Sequence, residues 1–368
     1  MTRPGVRYSV HPMSRVPRPL PWRARPTLAV NAALATALLA AAAVGDAPFP
    51  DEGAVADVVS APPTGALSGD GGLAGPRSGP ARAANARLAE EIDALLRELR
   101  AGAAADLAPG DGRSQGPGAW GPGASAGSGS GEDAGPAGRY PVRMSVSVLA
   151  LDSGLSATYG WQAFDTASIV KVDILVALLL QAQDEGRELT DEERDLASIM
   201  IRASDNAAAD VLWDTIGRAE GLNAANERLG LVHTSGGPAG HWGLTQTTSA
   251  DQVRLLEAVF GTRSPLEPGA RRYVQELMGT VVDGQRWGIS AAADGEFELK
   301  NGWLPRSQTD LWDINSIGRI TWGGREFLIA VVSDGHPTEE DGIAAVEAAA
   351  EAAVAAITTP RQPAGRGA

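Results

Sequence analysis

The segment Ser168-Ile-Val-Lys171 begins a run, extending to Gln181, in which nearly every side chain is apolar. A surface that is apolar on all sides predicts a helix buried at the centre of a domain. Because Ser168 and Lys171 are three residues apart, their side chains share one face of that helix. The start of a helix favours negative charge, since its first N–H groups are free. The segment therefore predicts a serine beside a buried lysine at the beginning of a central helix.

Lysine occurs only twice in the chain, at Lys171 and Lys300, among 31 lysine and arginine residues. Arginine stays charged in proteins, whereas a buried lysine loses its proton more readily. Burial and a second nearby cation both lower the pKa of a lysine, so Lys171 is predicted to be a general base for the Ser168 hydroxyl. The alternative is that Lys171 extends its amine to solvent, which its apolar neighbours Ile169 and Val172 disfavour.

Two further short motifs follow, Ser204-Asp205-Asn206 and Lys300-Asn301-Gly302. Each is unspecific alone, and Ser204 or Asp205 would also serve as an ordinary helix N-cap. Taken in this order, S-x-x-K, S-D-N and K-x-G resemble the motif set of class A β-lactamases and penicillin-binding proteins. Within that superfamily the chain looks most like the class A β-lactamase-related serine hydrolases, over roughly residues 140–358.

The resemblance implies an acyl-serine mechanism without a cofactor or metal. Ser168 would be the nucleophile, Lys171 its general base, and Ser204 the group that passes a proton to the leaving nitrogen. The backbone N–H groups of Ser168 and Trp303 would form the oxyanion hole.

The same resemblance implies a set of substrate-binding residues. Asn206 would hydrogen-bond the amide side chain of the substrate. Lys300 would hold the substrate carboxylate, and Asn301 stands where the family usually has Thr or Ser and could still donate to that carboxylate. Gly302 would let the substrate approach the strand closely, and Trp303 would line the cleft.

The resemblance is incomplete in the loop before the helix predicted at Ser249. Class A β-lactamases carry a glutamate there, which activates the water that releases the acyl group. Residues 230–250 contain no Asp or Glu. His241, beside Trp242, is the candidate substitute because histidine titrates near neutral pH, and the alternative is an ordinary polar loop residue. Without an efficient base, an acyl-enzyme would form and persist.

The order of predicted elements indicates an α+β domain. Alternating apolar residues predict a strand over 144–150, with a return strand over 157–164. A block of helices follows, then two or three strands between 299 and 333, and a final helix over 339–357. This order predicts an antiparallel sheet flanked by helices, with a helical subdomain inserted between its halves. It agrees with the serine β-lactamase/transpeptidase-like fold that the resemblance implies.

Helix starts are predicted from capping residues. Thr190 with Glu193 and Ser249 with Gln252 have the spacing of a capping box. Thr338 is the predicted N-cap of the final helix.

Sequence outside the predicted catalytic domain, residues 140–360, is interpreted as export and linker sequence. Residues 1–44 contain six arginines, no acidic residue and an alanine- and leucine-rich run. This composition predicts an export signal, and an uncleaved anchor helix is the alternative. Residues 45–80 are predicted to be disordered, residues 108–139 to be a flexible Gly/Pro/Ser linker, and residues 361–368 to be a tail.

An amphipathic helix is predicted over residues 81–107. Three arrangements are open for it: packing onto the catalytic domain, pairing with another chain as a coiled coil, or a marginal helix in solution. We favour the first. The apolar stripe consists of Leu88, Ile92, Leu95, Leu96 and Leu99.

Composition limits the partners. The net charge is −14, and it becomes more negative if residues 1–44 are removed, which argues against binding to nucleic acid or to an anionic membrane. The chain has no cysteine, so it has no disulfide framework, thiolate zinc site or lipid-bearing cysteine. With only four histidines, no metal site is expected.

We therefore expect a monomer that is secreted or associated with the cell envelope and is acylated by a β-lactam or a related acyl compound. One alternative is a D-alanyl-D-alanine peptidase that acts on peptidoglycan peptides. The other is a non-catalytic protein that binds penicillin or the cell wall.

Overall fold

The fold is described from a computed structural model, which describes residues 79–106 and 141–359. The predicted segments 1–44 and 361–368, the linker at 108–139 and residues 45–78 of the predicted disordered segment 45–80 lie outside these residues. Gly79 and Pro80, the last two residues of that predicted disordered segment, instead begin a helix. Within the described ranges, none of the helices combines the length and the apolar character needed to cross a membrane.

A five-stranded antiparallel sheet forms the centre of the domain. Its strands are β1 (Arg143–Ala150), β2 (Ser156–Tyr159), β5 (Phe297–Arg306), β6 (Leu311–Trp322) and β7 (Arg325–His336), in the order β2-β1-β7-β6-β5. A separate two-stranded sheet pairs β3 (Phe164–Asp165) with β4 (Gln246–Thr247).

The helices follow one another along the chain on either side of this sheet. They are α1 (Gly79–Asp106), α2 (Val170–Asp184), α3 (Asp191–Arg202), α4 (Asn206–Thr215), α5 (Arg218–Leu229), α6 (Ser249–Phe260), α7 (Pro268–Gly279) and α8 (Glu339–Thr358). Strands from both ends of the domain thus pair in one sheet, and α2 to α7 are inserted between them. This is the predicted α+β architecture.

The core has two parts, one on each face of the sheet. Successive side chains of a strand point to opposite faces. On β7, Leu328 and Ala330 pack with the inserted helices, whereas Phe327 and Ile329 pack with α1 and α8. Helix α2 is buried along nearly its whole length, as its apolar sequence predicts. It therefore gives the Ser168–Lys171 segment a rigid support.

Two of the predicted caps are confirmed and one is wrong. Thr190 and Glu193 form a capping box, and the Thr338 side chain accepts a hydrogen bond from the backbone of Asp341. Helix α6 is capped by Thr248 rather than by Ser249. The Ser249 hydroxyl is buried and instead hydrogen-bonds two serine hydroxyls of β1, at 2.7 and 2.9 Å.

The predicted return strand over 157–164 is also wrong in its extent. Strand β2 ends at Tyr159, and Phe164 belongs to the separate β3–β4 pair. Gly160, with φ +73°, follows Tyr159, a conformation that an extended strand does not contain. The chain therefore leaves the large sheet there and reaches Ser168 through the smaller one.

Helix α1 packs onto the domain, the first of the three arrangements considered. Leu88 and Ile92 are fully buried in the core that α8 shares. Polar contacts fix the same helix: the Arg87 guanidinium donates to Ala356 O, and Asn85 Oδ1 accepts from the backbone N–H of Thr158.

Candidate active site

Ser168 lies in a single 3-10 turn, Ala167–Ile169, that leads directly into α2. Ala167 has φ +46°, in the left-handed region that residues with a Cβ rarely adopt. That conformation costs about 1 kcal/mol, so the surrounding structure must enforce it. Ser168 is 8% exposed and borders a cavity, and among the described residues its hydroxyl has no hydrogen-bond partner. The hydroxyl is therefore free to meet a ligand.

Strand β5 lies against the Ser168 turn at Gly302. A Cβ added at Gly302 would lie 2.7 Å from Thr166 O and 2.9 Å from the backbone nitrogen of Ser168. Real Cβ atoms do not approach backbone so closely, so glycine is required at this position. Gly302 was predicted to make room for substrate, but the close approach that the structure contains is to the protein's own backbone.

Asn315 on β6 supports the same turn and was not predicted from the sequence. Its Nδ2 donates to Asp165 O at 2.9 Å and to Thr166 O at 3.0 Å, while its Oδ1 accepts from the backbone of Ser333. The side chain is fully buried, and these hydrogen bonds join it to backbone atoms of two separate segments, 165–166 and Ser333. An asparagine between Ile314 and Ile317 in an apolar strand was the available signal.

Lys171 is fully buried, and its amine is held by the S-D-N segment. Nζ donates to Ser204 O at 2.7 Å, to Ser204 Oγ at 3.2 Å and to Asn206 Oδ1 at 2.8 Å. Ser204 has φ +57°, a second strained non-glycine residue at this site. Asp205 is the N-cap of α4, so the capping role and the placement of Ser204 hold together.

Lys300 reaches the same serine from β5. Its Nζ donates to Ser204 Oγ at 2.9 Å and to Asn301 O at 2.8 Å, and its side chain is 1% exposed. The Ser204 hydroxyl therefore lies between the only two lysines of the chain. The two lysines, which are 129 positions apart, meet at one oxygen atom.

Burial weakens the hold of both lysines on their protons. It lowers the pKa of Lys171 to about 7, although the carboxylates of Asp205 and Asp210 oppose the shift. The pKa of Lys300 is lowered well below its usual value, first by burial and then by the charge of Lys171. Near neutral pH, a neutral lysine amine is thus available beside Ser204, which is the form that can accept a proton.

Asn301 does not have the position that the sequence analysis predicts. Its Nδ2 donates to Gln285 O at 2.8 Å and to Trp287 O at 3.0 Å, and its Oδ1 accepts from Ser316 Oγ at 2.7 Å. Neighbouring residues of a strand face opposite sides, so Asn301 points away from the face that carries Lys300. Its fully buried amide has no capacity left for a substrate carboxylate.

The cavity beside Ser168 has a volume of about 460 Å³. The other predicted site residues that line it are Asn206, His241, Trp242 and Trp303, and Asp210 is the one carboxylate among its described lining residues. His241 is exposed on the loop, where its backbone N–H donates to Pro238 O. Ser168 and Trp242 thus line the cleft, whereas Lys171, Ser204 and Lys300 are not among its described lining residues.

A comparison with protein families matches residues 192–357 to the Beta-lactamase enzyme family. The match includes the S-D-N and K-x-G segments and begins after Ser168 and Lys171. The putative lipoprotein LppW of Mycobacterium tuberculosis and its counterpart in Mycobacterium bovis are 29% identical over 170 residues, which is 44% of this chain. The chain spans about half the length, 54%, of these curated relatives.

Solved structures resemble the fold over most of their own length. TLA-1 extended spectrum β-lactamase superposes with a TM-score of 0.52 at 16% identity, covering 57% of this chain and 91% of that one. A class A β-lactamase from Bacteroides cellulosilyticus gives 0.52 at 18%, covering 60% and 93%. PBP-A gives 0.50 at 22%, covering 59% and 90%. The chain therefore has the class A β-lactamase fold, and its residues 192–357 match the beta-lactamase enzyme family.

Proposed function

We propose that the protein is a serine hydrolase of the class A β-lactamase-like group and is acylated at Ser168. The observation that carries this proposal is the position of the Ser204 hydroxyl, within hydrogen-bond distance of the amines of both Lys171 and Lys300. Burying two lysines without a carboxylate to pair with them is costly, so a purely structural role would not explain them. A non-catalytic binding protein would need neither amine in this place.

The proposed reaction is one acyl transfer accompanied by proton transfers through Lys171 and Ser204. Neutral Lys171 takes the proton of Ser168 Oγ as that oxygen attacks the substrate carbonyl, and the bond from Oγ to carbon forms. The backbone N–H groups of Ser168 and Trp303 stabilise the resulting oxyanion. The proton then passes from Lys171 through Ser204 to the leaving nitrogen, the bond from carbon to nitrogen breaks, and the acyl group remains on Ser168.

Substrate contacts are assigned to Asn206 and Trp303, which border the cleft, and to Lys300 on the resemblance of its motif. Asn206 binds the amide side chain of the substrate, although its Oδ1 is shared with Lys171. Trp303 borders the cleft, and its indole packs edge-on against Trp287 with the core on the second face of the sheet. Lys300 faces the substrate carboxylate. The negative charge of that carboxylate would raise the pKa of Lys300, which burial lowers, and so favour the protonated amine. Asn301 has no part in this scheme.

A β-lactam is the favoured substrate class, and a peptidoglycan peptide ending in D-alanyl-D-alanine is the alternative. Both present a carboxylate near the amide that is attacked. The loop without a carboxylate supports the second reading, because release of the acyl group by water lacks its usual base. A mutant of PBP-A, one of the structural neighbours, is described as an acyl-enzyme complex with penicillin G. His241 stays a candidate base for a slow release.

Export to the cell envelope is part of this proposal. The basic and apolar segment 1–44 supports it, and so does the word lipoprotein in the name of the mycobacterial relatives. This chain has no cysteine to carry a lipid, so we propose that it is secreted or held at the envelope by other means, as a monomer.

Intact-protein mass spectrometry of the full-length chain mixed with penicillin G tests the acylation. We expect an increase equal to the mass of one penicillin molecule, which is absent in Ser168→Ala and strongly slowed in Lys171→Met. An adduct of equal size and rate on Ser168→Ala would overturn the proposal. Competition by a peptide ending in D-alanyl-D-alanine, with release of D-alanine, would identify the peptidase rather than the β-lactamase.

A further inference from the structure

Trp242 occupies the part of the loop where the sequence lacks a carboxylate. It begins a single 3-10 turn, Trp242–Leu244, between Gly240 and Gly243. The face of its indole ring lies 4.7 Å from Lys171 Nζ, measured to the ring centroid. Ser204 and Asn206 hold the same amine by hydrogen bonds. Lys171 is thus covered by an aromatic ring from the loop that contains no carboxylate.

Asp210 fixes the orientation of that ring. It lies one helical turn after Asn206 on α4, and its Oδ1 accepts a hydrogen bond from Trp242 Nε1 at 2.7 Å. The ends of the loop are attached independently, because the backbone N–H of Thr166 donates to Thr245 O at 2.9 Å and the backbones of Ser235 and Gln246 exchange two hydrogen bonds of 3.0 Å. The bond to Asp210 therefore determines where the indole lies and not whether the loop is folded.

We infer that Asp210 is a positioning residue that holds Trp242 as a shield over Lys171, so that the proposed acyl-enzyme at Ser168 is kept from water. This inference rests on the proposed function. An indole ring is apolar over its face and has one donor, which Asp210 engages, so the ring itself offers no group that could bind or activate a water beside the ester. The outcome is an acyl group that stays on Ser168 until an acceptor other than loop-activated water removes it.

The two lysines allow the shield to be tested without any acylation. Reductive methylation of the full-length protein, followed by peptide mapping, reports Lys171 and Lys300 separately because the chain has no other lysine. We expect Trp242→Ala to be labelled at Lys171 about tenfold faster than the wild type, since removal of the ring opens the amine to reagent. Trp161→Ala is the matched control, because Trp161 is 86% exposed.

Substitutions at Asp210 separate positioning from simple loss of packing. Labelling is compared at pH 9, where Lys171 is neutral with or without the charge of Asp210. Asp210→Asn keeps an oxygen that accepts from the indole and should label Lys171 there at nearly the wild-type rate. Asp210→Ala removes the acceptor and should label it about two- to tenfold faster, as expected for one exposed hydrogen bond. If Trp242→Ala does not fold, Trp242→Phe, which keeps a ring without the N–H group, gives the same comparison with Asp210→Ala.

The lifetime of the penicillin adduct completes the test. We expect Trp242→Ala and Asp210→Ala to lose the adduct faster than the wild type, with Asp210→Asn and Trp161→Ala unchanged. Wild-type labelling of Lys171 in Trp242→Ala, or an adduct lifetime unaffected by loss of the ring, would overturn the shield. Absence of any adduct together with faster labelling of Lys171 would instead refute the proposed function while the shield stands.

Discussion

Lys171 must give up its proton to act as a base, and its surroundings bring its pKa to about 7. Below that pH the ammonium form dominates, and above it the neutral amine does. We therefore predict that the rate of acylation by penicillin rises with pH and levels off above about 7. Stopped-flow or quenched mass spectrometry at several pH values measures this. Lys171→Arg should remain inactive at every pH, because arginine stays charged.

The carboxylate of Asp210 raises the pKa of Lys171, so its removal should move this profile. Asp210→Asn should shift the midpoint to lower pH while keeping the bond to Trp242. A midpoint that stays in place in Asp210→Asn, or a rate independent of pH between 5 and 9, would contradict Lys171 as the base.

Asp173, two residues after Lys171, is fully buried, and both its carboxylate oxygens lack a hydrogen-bond donor among the described residues. Gln252 Oε1 is likewise buried without a hydrogen-bond donor, and the side chains of Gln252 and Asp173 interact. Burial raises the pKa of Asp173 to about 8. When Asp173 is protonated, its carboxyl group has an O–H donor. The ionised carboxylate and Gln252 Oε1 would instead be two acceptors with no donor.

This raised pKa predicts that stability falls as pH rises. In the unfolded chain Asp173 ionises near pH 4, so between about 4 and 8 only the folded state holds its proton. The contribution of Asp173 to the free energy of unfolding should then decline by up to ~1.4 kcal/mol per pH unit over that interval. Asp173→Asn removes the decline. Urea unfolding of both proteins from pH 4 to 9 measures the difference, which would be constant with pH if Asp173 were ionised in the folded state.

At the scale of elements, the site depends on how strand β5 meets the Ser168 turn. A methyl group at Gly302 would collide with the backbone of Thr166 and Ser168, which cannot move without displacing the start of α2. We predict that Gly302→Ala reduces acylation by more than about 100-fold and lowers Tm. Gly269→Ala is the matched control, since a Cβ there meets open space at the start of α7. It should keep full acylation and a Tm equal to or above that of the wild type.

Elements with strong local signals were predictable from the sequence, and features decided by tertiary contacts were not. The apolar run of α2 and the capping box at Thr190 depend on nearby residues alone. The N-cap of α6 was misassigned because the Ser249 hydroxyl bonds to β1, about a hundred positions earlier in the chain.

The residues of the site show the same difference between local signals and tertiary contacts. The lysines stood out from an arginine-rich chain, and the structure brings both to Ser204. The family motif placed Asn301 at the substrate, but its side chain follows the alternation of β5 and bonds to the opposite face. Asn315 belongs to no motif, because its role is to hydrogen-bond the backbone of two other chain segments.

For the whole molecule, the sheet is enclosed on its second face by the first and last described helices. Helices α1 and α8 share one core with the side chains of β7 that point away from the inserted helices. The proposed nucleophile and the packing of α1 thereby lie on opposite faces of the sheet: α2 brings Ser168 to one, and α1 covers the other. Loss of α1 should therefore act on stability and not directly on the chemistry of the cleft.

Leu88 tests this separation, because it is fully buried within α1 and far along the chain from every site residue. We predict that Leu88→Ala lowers the free energy of unfolding by about 2–5 kcal/mol, the cost of a large cavity in a packed core. Glu91→Ala, at an exposed position of the same helix, should change it by less than about 0.5 kcal/mol. Acylation by penicillin, measured at a temperature where both variants are folded, should match the wild type. A stability of Leu88→Ala equal to that of Glu91→Ala would mean that α1 does not dock in solution, and slowed acylation in the folded variant would mean that the two faces are coupled.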